Sequence, residues 1–146
     1  MPVLRSCRSC HRVNRVGAEH LAESGRCGAC KAELPPLDEP LPVDDRLFDE
    51  ILAGARVPVL VDFWAEWCGP CRAVAPEVAR TAEATAGRAI VLKVDTEKYP
   101  ALAARYQVRG IPNFAVFREG KLVRQEAGAT GHDEMEAWLE AARRAV

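Results

Sequence analysis

Six cysteines fall into three Cys-x-x-Cys pairs, Cys7/Cys10, Cys27/Cys30 and Cys68/Cys71, and their spacing constrains the fold more than any other feature. The first two pairs are sixteen residues apart, whereas the third stands alone far downstream. Two knuckles at that distance match a structural zinc site in which four thiolates surround one tetrahedral metal. A solitary pair is either redox machinery or half a metal site. After Met1 the sequence has no apolar leader segment, and no stretch is long enough to span a bilayer, which predicts a cytoplasmic chain. Thiols stay reduced there, so a permanent disulfide framework is not expected.

The chain divides by composition. Residues 1–34 are a head too short to bury a core unaided, and they read as a four-cysteine zinc-binding module whose folding free energy comes largely from metal. Residues 35–43 hold Pro35, Pro36, Pro40 and Pro42 and read as a semi-extended linker. Residues 44–146 are long enough for one proper domain.

Within that domain, Asp44 or Asp45 can cap a helix whose apolar face is Leu47, Phe48, Ile51 and Leu52. Val59–Trp64 is apolar on both faces except at Asp62, the pattern of a central strand covered by helices on each side. Residues 70–86 predict a long helix bent at Pro76, and Ala89–Val94 a second buried strand. A short helix starting near Pro100 follows, then a hairpin about Glu119–Gly120, then an amphipathic helix from His132 that buries Met135, Trp138, Leu139 and Ala142. The sum is an α/β domain with a mixed central sheet and helices on both faces.

Cys68 and Cys71 fall where the first clear strand turns into a helix. Residues three apart at a helix start share a face, with β-carbons about 5–6 Å apart, close to what a disulfide tolerates. Cys68 stands at the positive end of the helix dipole, where free N–H groups stabilise a thiolate. Gly69 allows close approach, and Pro70 sits in the first turn, where its missing N–H costs nothing. Trp67 reads as a contact surface for an incoming protein. Asp62 is expensive to ionise inside an apolar strand, so its pKa should be raised unless a partner offsets burial, and Lys93 in the neighbouring strand is the natural partner.

The run Trp67-Cys68-Gly69-Pro70-Cys71, with Asp62, Trp64, Pro76, Lys93, Gly110-Ile111-Pro112 and Gly128, resembles the thioredoxin family over residues 43–146. The head makes the chain resemble the zinc-bearing bacterial subfamily. This resemblance implies the thioredoxin fold preceded by a zinc-ribbon-like module. It makes Cys68 the attacking and Cys71 the resolving cysteine of a redox-active disulfide, with Asp62 relaying a proton and Lys93 beside it. Ile111–Pro112 becomes a cis-proline loop facing the dithiol; with Trp67, Gly69, Pro70 and Gly128 it would bind substrate. Asn113 departs from the threonine common in the family and bears on substrate preference. The resemblance also implies disulfide-bearing substrate proteins such as ribonucleotide reductase, methionine sulfoxide reductase and peroxiredoxins, and recycling by an NADPH-dependent thioredoxin reductase.

Charge is unevenly spread: residues 1–34 carry six Lys/Arg against three Asp/Glu, the rest fourteen against eighteen. Four thiolates on Zn²⁺ leave −2, which Arg8, Arg12, Arg26 and Lys31 offset, so the basic head needs no nucleic acid to explain it. His11 follows Cys10 but is superfluous to a completed tetrahedron, and His20 and His132 read as surface residues. The chain is expected to be a monomer with no nucleic-acid or membrane partner. A protein-disulfide reductase is the favoured reading. A disulfide oxidase or isomerase on the same fold and a non-enzymatic zinc-ribbon recruitment module are the alternatives, and the head could be a redox sensor or a structural appendage.

Overall fold

A computed structural model describes residues 2–145. In the head, β1 (Val3–Ser6) and β2 (Val13–Val16) form one antiparallel hairpin and β3 (Gly25–Arg26) with β4 (Glu33–Leu34) another. Each hairpin turns through one cysteine pair. A 3₁₀ turn, Ala18–His20, joins them.

The main body is a five-stranded sheet in the order β5-β7-β6-β8-β9, built from β5 (Leu41–Pro42), β6 (Val59–Trp64), β7 (Ile90–Asp95), β8 (Asn113–Arg118) and β9 (Lys121–Ala127). The first three strands are parallel and the last two antiparallel to their neighbours, so the sheet is mixed as expected. The segment read as a semi-extended linker supplies β5, which pairs with Leu92 and Lys93. Pro42 is tolerated because a sheet edge leaves one row of N–H positions unused.

Four helices cover the sheet: α1 (Asp45–Gly54), α2 (Gly69–Ala84), α3 (Pro100–Arg105) and α4 (His132–Arg144). Asp44 caps α1, its Oδ1 accepting the Leu47 N–H at 2.7 Å, and α2 runs through Pro76 as one helix. Glu119 and Gly120 take φ of 53° and 79°, the left-handed pair that a two-residue hairpin turn requires. Strand alternation sends side chains to two cores. On one face Phe48, Ile51, Val61, Phe63 and Phe117 pack together. On the other, Leu60, Val74, Val78, Phe114, Met135 and Trp138 do so.

The head does not hang free. Val3, Ala18, Leu21 and Leu37 belong to the first of these cores, and Leu21 is fully buried. The Leu37 N–H donates to the Leu21 carbonyl at 2.8 Å, Arg5 donates to the Pro35 carbonyl at 2.5 Å, and Arg8 pairs with Asp38 at 2.6 Å. Glu19 lies beside Gly54 at the end of α1, and Pro36 with the Ala22 carbonyl beside Gly87, just before β7 begins. These contacts place the head where β6 and β7 start. Cys68 lies past their far end, across roughly 17 Å of strand.

Candidate functional site: a dithiol at a helix start and a four-cysteine cluster

Cys68 is the N-cap residue of α2, and its Sγ accepts the Cys71 N–H at 3.2 Å. The two sulfurs are joined as a disulfide, with Cα atoms 5.3 Å apart. Exposure does not separate the pair, since each is 3% accessible. The helix cap does: the N–H that now bonds Cys68 Sγ is one of the orphan donors of the first turn, positioned to hold a thiolate after reduction.

Ile111–Pro112 is a cis peptide, and the Ile111 carbonyl oxygen lies 3.7 Å from Cys68 Sγ. Gly128, at φ 97°, donates its N–H to the Pro112 carbonyl at 2.9 Å and anchors the end of this loop. Trp67 is 68% exposed, which favours a contact surface over core packing. Its indole N–H donates to Glu97 at 2.7 Å. Glu97 carries no signal in the sequence, because the pair lies thirty residues apart.

Asp62 is 2% exposed and its Oδ1 has no hydrogen-bond partner. Two residues on from Leu60, it shares that residue's face of the strand and so faces the α2 side of the sheet. Desolvation pushes its carboxyl up to about 7, against a smaller opposing pull from Lys93. Lys93 stands in register beside Asp62 on β7, as the sequence suggests. Its ammonium, however, lies 4.2 Å over the Trp64 ring, and no ion pair or hydrogen bond joins the two among the described residues. The cation is attracted by the aromatic face, leaving the carboxyl only partly compensated.

In the head, the four sulfurs of Cys7, Cys10, Cys27 and Cys30 all lie within 4.8 Å of one another. Cys7–Cys30 and Cys10–Cys27 approach to 3.6 Å. A tetrahedral tetrathiolate centre with metal–sulfur bonds of about 2.3 Å sets sulfurs about 3.8 Å apart, so the set fits one metal ion. The two knuckles repeat each other. Cys7 and Cys27 donate their N–H to Arg12 and Ala32, Ser9 and Ala29 donate theirs to Cys7 and Cys27 Sγ at 3.4 Å, and His11 and Lys31 hold matching φ of 65° and 66°. His11 is therefore a turn residue and lies outside the ligand set.

The N–H groups of Cys30 and Ala29 hold Cys27 down to about 6, and those of Cys10 and Ser9 lower Cys7, so the backbone favours the thiolate form at both positions. Asn14, which the sequence does not single out, donates to Cys27 Sγ at 3.6 Å and accepts the Gly28 N–H at 3.0 Å. His20 is exposed beside Glu23. His132 is less of a surface residue than expected, its ring held against Glu136 at 2.7 Å.

A disulfide capping the helix that follows a central strand, facing a cis-proline loop, defines a thiol–disulfide oxidoreductase. Residues 39–141 match the thioredoxin family profile and residues 6–32 that of "Thioredoxin 2, N-terminal". The chain belongs to the thioredoxin family and carries the zinc-ribbon-like cysteine cluster of a thioredoxin-2-like subfamily. Thioredoxin C-3 of Corynebacterium nephridii is 38% identical over 134 residues, 92% of this chain and 91% of that protein. Thioredoxin 1 of Chlorobaculum tepidum is 45% identical over 87 residues, 60% of this chain and 86% of its own length. The solved structure of a mutant thioredoxin from Halobacterium salinarum NRC-1 matches with a TM-score of 0.68 at 36% identity, covering 75% of this chain and 95% of that one.

Proposed function

We propose that this oxidoreductase works as a general protein-disulfide reductase. Cys68 thiolate attacks a substrate disulfide, forming a mixed disulfide and expelling one substrate sulfur. Cys71 then attacks Cys68 Sγ, so the substrate leaves with two thiols and the Cys68–Cys71 disulfide forms, two electrons having passed to the substrate. The observation that carries this assignment is the Cys68 cap, whose sulfur already receives the Cys71 N–H. Asp62 takes the proton from Cys71, a role supported by its burial, its orphaned oxygen and a carboxyl that titrates near 7.

Trp67, Gly69, Pro70, Ile111, Pro112 and Gly128 form the surface that receives the substrate chain, and the backbone of the cis-proline loop supplies strand-like hydrogen bonds. Electrons return from a partner, and membership of the thioredoxin family supports an NADPH-dependent thioredoxin reductase in that role. Cys7, Cys10, Cys27 and Cys30 hold one structural Zn²⁺, and four thiols kept for a metal support a reducing, cytoplasmic location. No helix among the described residues is long and apolar enough to cross a membrane.

Insulin reduction tests this reading. Wild type should be active, Cys68→Ser inactive, and Cys71→Ser should accumulate a mixed disulfide visible on non-reducing gels. Wild-type turnover by Cys71→Ser would overturn the assignment.

A further inference from the structure

The loop that faces the dithiol runs from the end of α3 at Tyr106 to the start of β8 at Asn113. Its two ends meet at one side chain of the neighbouring strand β9. Gln125 Nε2 donates to the Tyr106 carbonyl at 3.0 Å and to Asn113 Oδ1 at 3.0 Å. A primary amide has two N–H donors on that nitrogen, and here each is spent on one end of the loop. The orientation is fixed by chemistry: a backbone carbonyl only accepts, so Gln125 must turn its NH₂ inward, and Asn113 must then present its oxygen.

Both bonds are partly shielded from water, and Asn113 is 6% exposed. Removing Gln125 would leave a buried amide oxygen and a main-chain carbonyl without partners, which costs more than losing a solvated bond. Tyr106 is held on its other side by ring contacts with Phe48, Phe63 and Phe117, so the tie connects the loop to the rigid aromatic core. Between the tied ends lie Gly110, Ile111 and Pro112, the segment whose carbonyl stands 3.7 Å from Cys68 Sγ.

We propose that Gln125 is a positioning residue for disulfide exchange, its amide NH₂ stapling the two ends of the 106–113 loop so that Ile111–Pro112 is held at a fixed distance from Cys68. This rests on the reading of that loop as the surface that pairs with the substrate backbone. Gln125 itself touches neither sulfur nor substrate. It acts by limiting the conformations from which the loop must be recruited when a protein chain binds.

The test uses the full-length chain and two substrates, insulin and the aromatic disulfide dithiobis(nitrobenzoate), which has no peptide backbone to pair with the loop. Gln125→Met keeps the length of the side chain and removes both donors. Its kcat/KM for insulin should fall about tenfold, chiefly through KM, as expected for two lost hydrogen bonds of ordinary strength. Reduction of the small disulfide, and the pH midpoint for alkylation of reduced Cys68, should stay within about twofold and a few tenths of a pH unit of wild type. Gln125→Lys, whose ammonium carries three donors on a stem of similar reach, should recover most of the loss. If Gln125→Met melts before assay temperature, Asn113→Ala, which breaks the tie at one end by deleting the Asn113 amide that accepts from Gln125, should show about a threefold loss confined to insulin.

Unchanged insulin kinetics, or equal losses on both substrates, would overturn the proposal, the second pattern being that of general destabilisation. Wild-type protein inactive on both substrates would overturn the reductase reading itself, and the positioning role with it.

Discussion

Replacing Asp62 with asparagine keeps its shape and removes its charge, and the consequence for stability follows from burial. In the oxidised protein the carboxyl titrates near 7 instead of near 3.8. The folded state therefore holds this proton more tightly than the unfolded chain does. Stability from Asp62 is fully present below the unfolded value, begins to fall once pH exceeds it, and is lost as pH rises through 7. At about 1.4 kcal/mol per tenfold difference in proton affinity, the ionised carboxylate costs on the order of 4 kcal/mol at high pH.

Asparagine has no such titration. The stability of Asp62→Asn relative to wild type should accordingly rise by about 3–4 kcal/mol between about pH 4 and about pH 8. Urea unfolding of both oxidised proteins at the two pH values measures it, and other titrating groups cancel in the double difference. A pH-independent difference would refute the reasoning, because the carboxyl would then be ionising as freely in the fold as in water. Under the proposed relay, in which Asp62 accepts the Cys71 proton, the same variant should also slow release of substrate from the mixed disulfide in reduced protein.

The remaining predictions concern the head and the core. If the four-cysteine cluster holds the proposed zinc, Cys27→Ser should abolish the metal content of the purified chain and make the loops around Cys7–Cys10 and Cys27–Cys30 more sensitive to limited proteolysis, because the tetrahedral ligand set is then incomplete. Leu21→Ala should lower the stability of the main unfolding transition by about 2–5 kcal/mol, because this fully buried head residue shares a core with Phe48 and Ile51; an unaltered main transition in denaturant would show that the two parts unfold independently. Arg8→Ala should cost under about 1 kcal/mol, as its pair with Asp38 is largely solvent-exposed, and the loss should shrink further in high salt.

The parts of this molecule that are legible in sequence are those with a physical signature inside one short window. The apolar run of β6 announces a doubly covered strand, and Asp62 stands out as the one residue in it that burial would penalise. The cysteine spacings separate the metal cluster from the dithiol. β5 is not legible, because two residues lying among prolines show no alternation, and their place is set by Leu92 and Lys93 fifty residues away. The partner of Lys93 escapes a sequence reading for a related reason: register brings it beside Asp62, but the ammonium is drawn to the Trp64 ring instead. Gln125 is invisible, since β9 reads as an ordinary exposed hairpin strand and its bonds reach back nineteen and twelve residues.

Because the cysteine-rich head is fastened at the end of the strands remote from the sulfurs, a bulky client can settle on the reactive pole without brushing against it. The protein thus has two poles: one open to visitors, the other a foot anchored in the shared core.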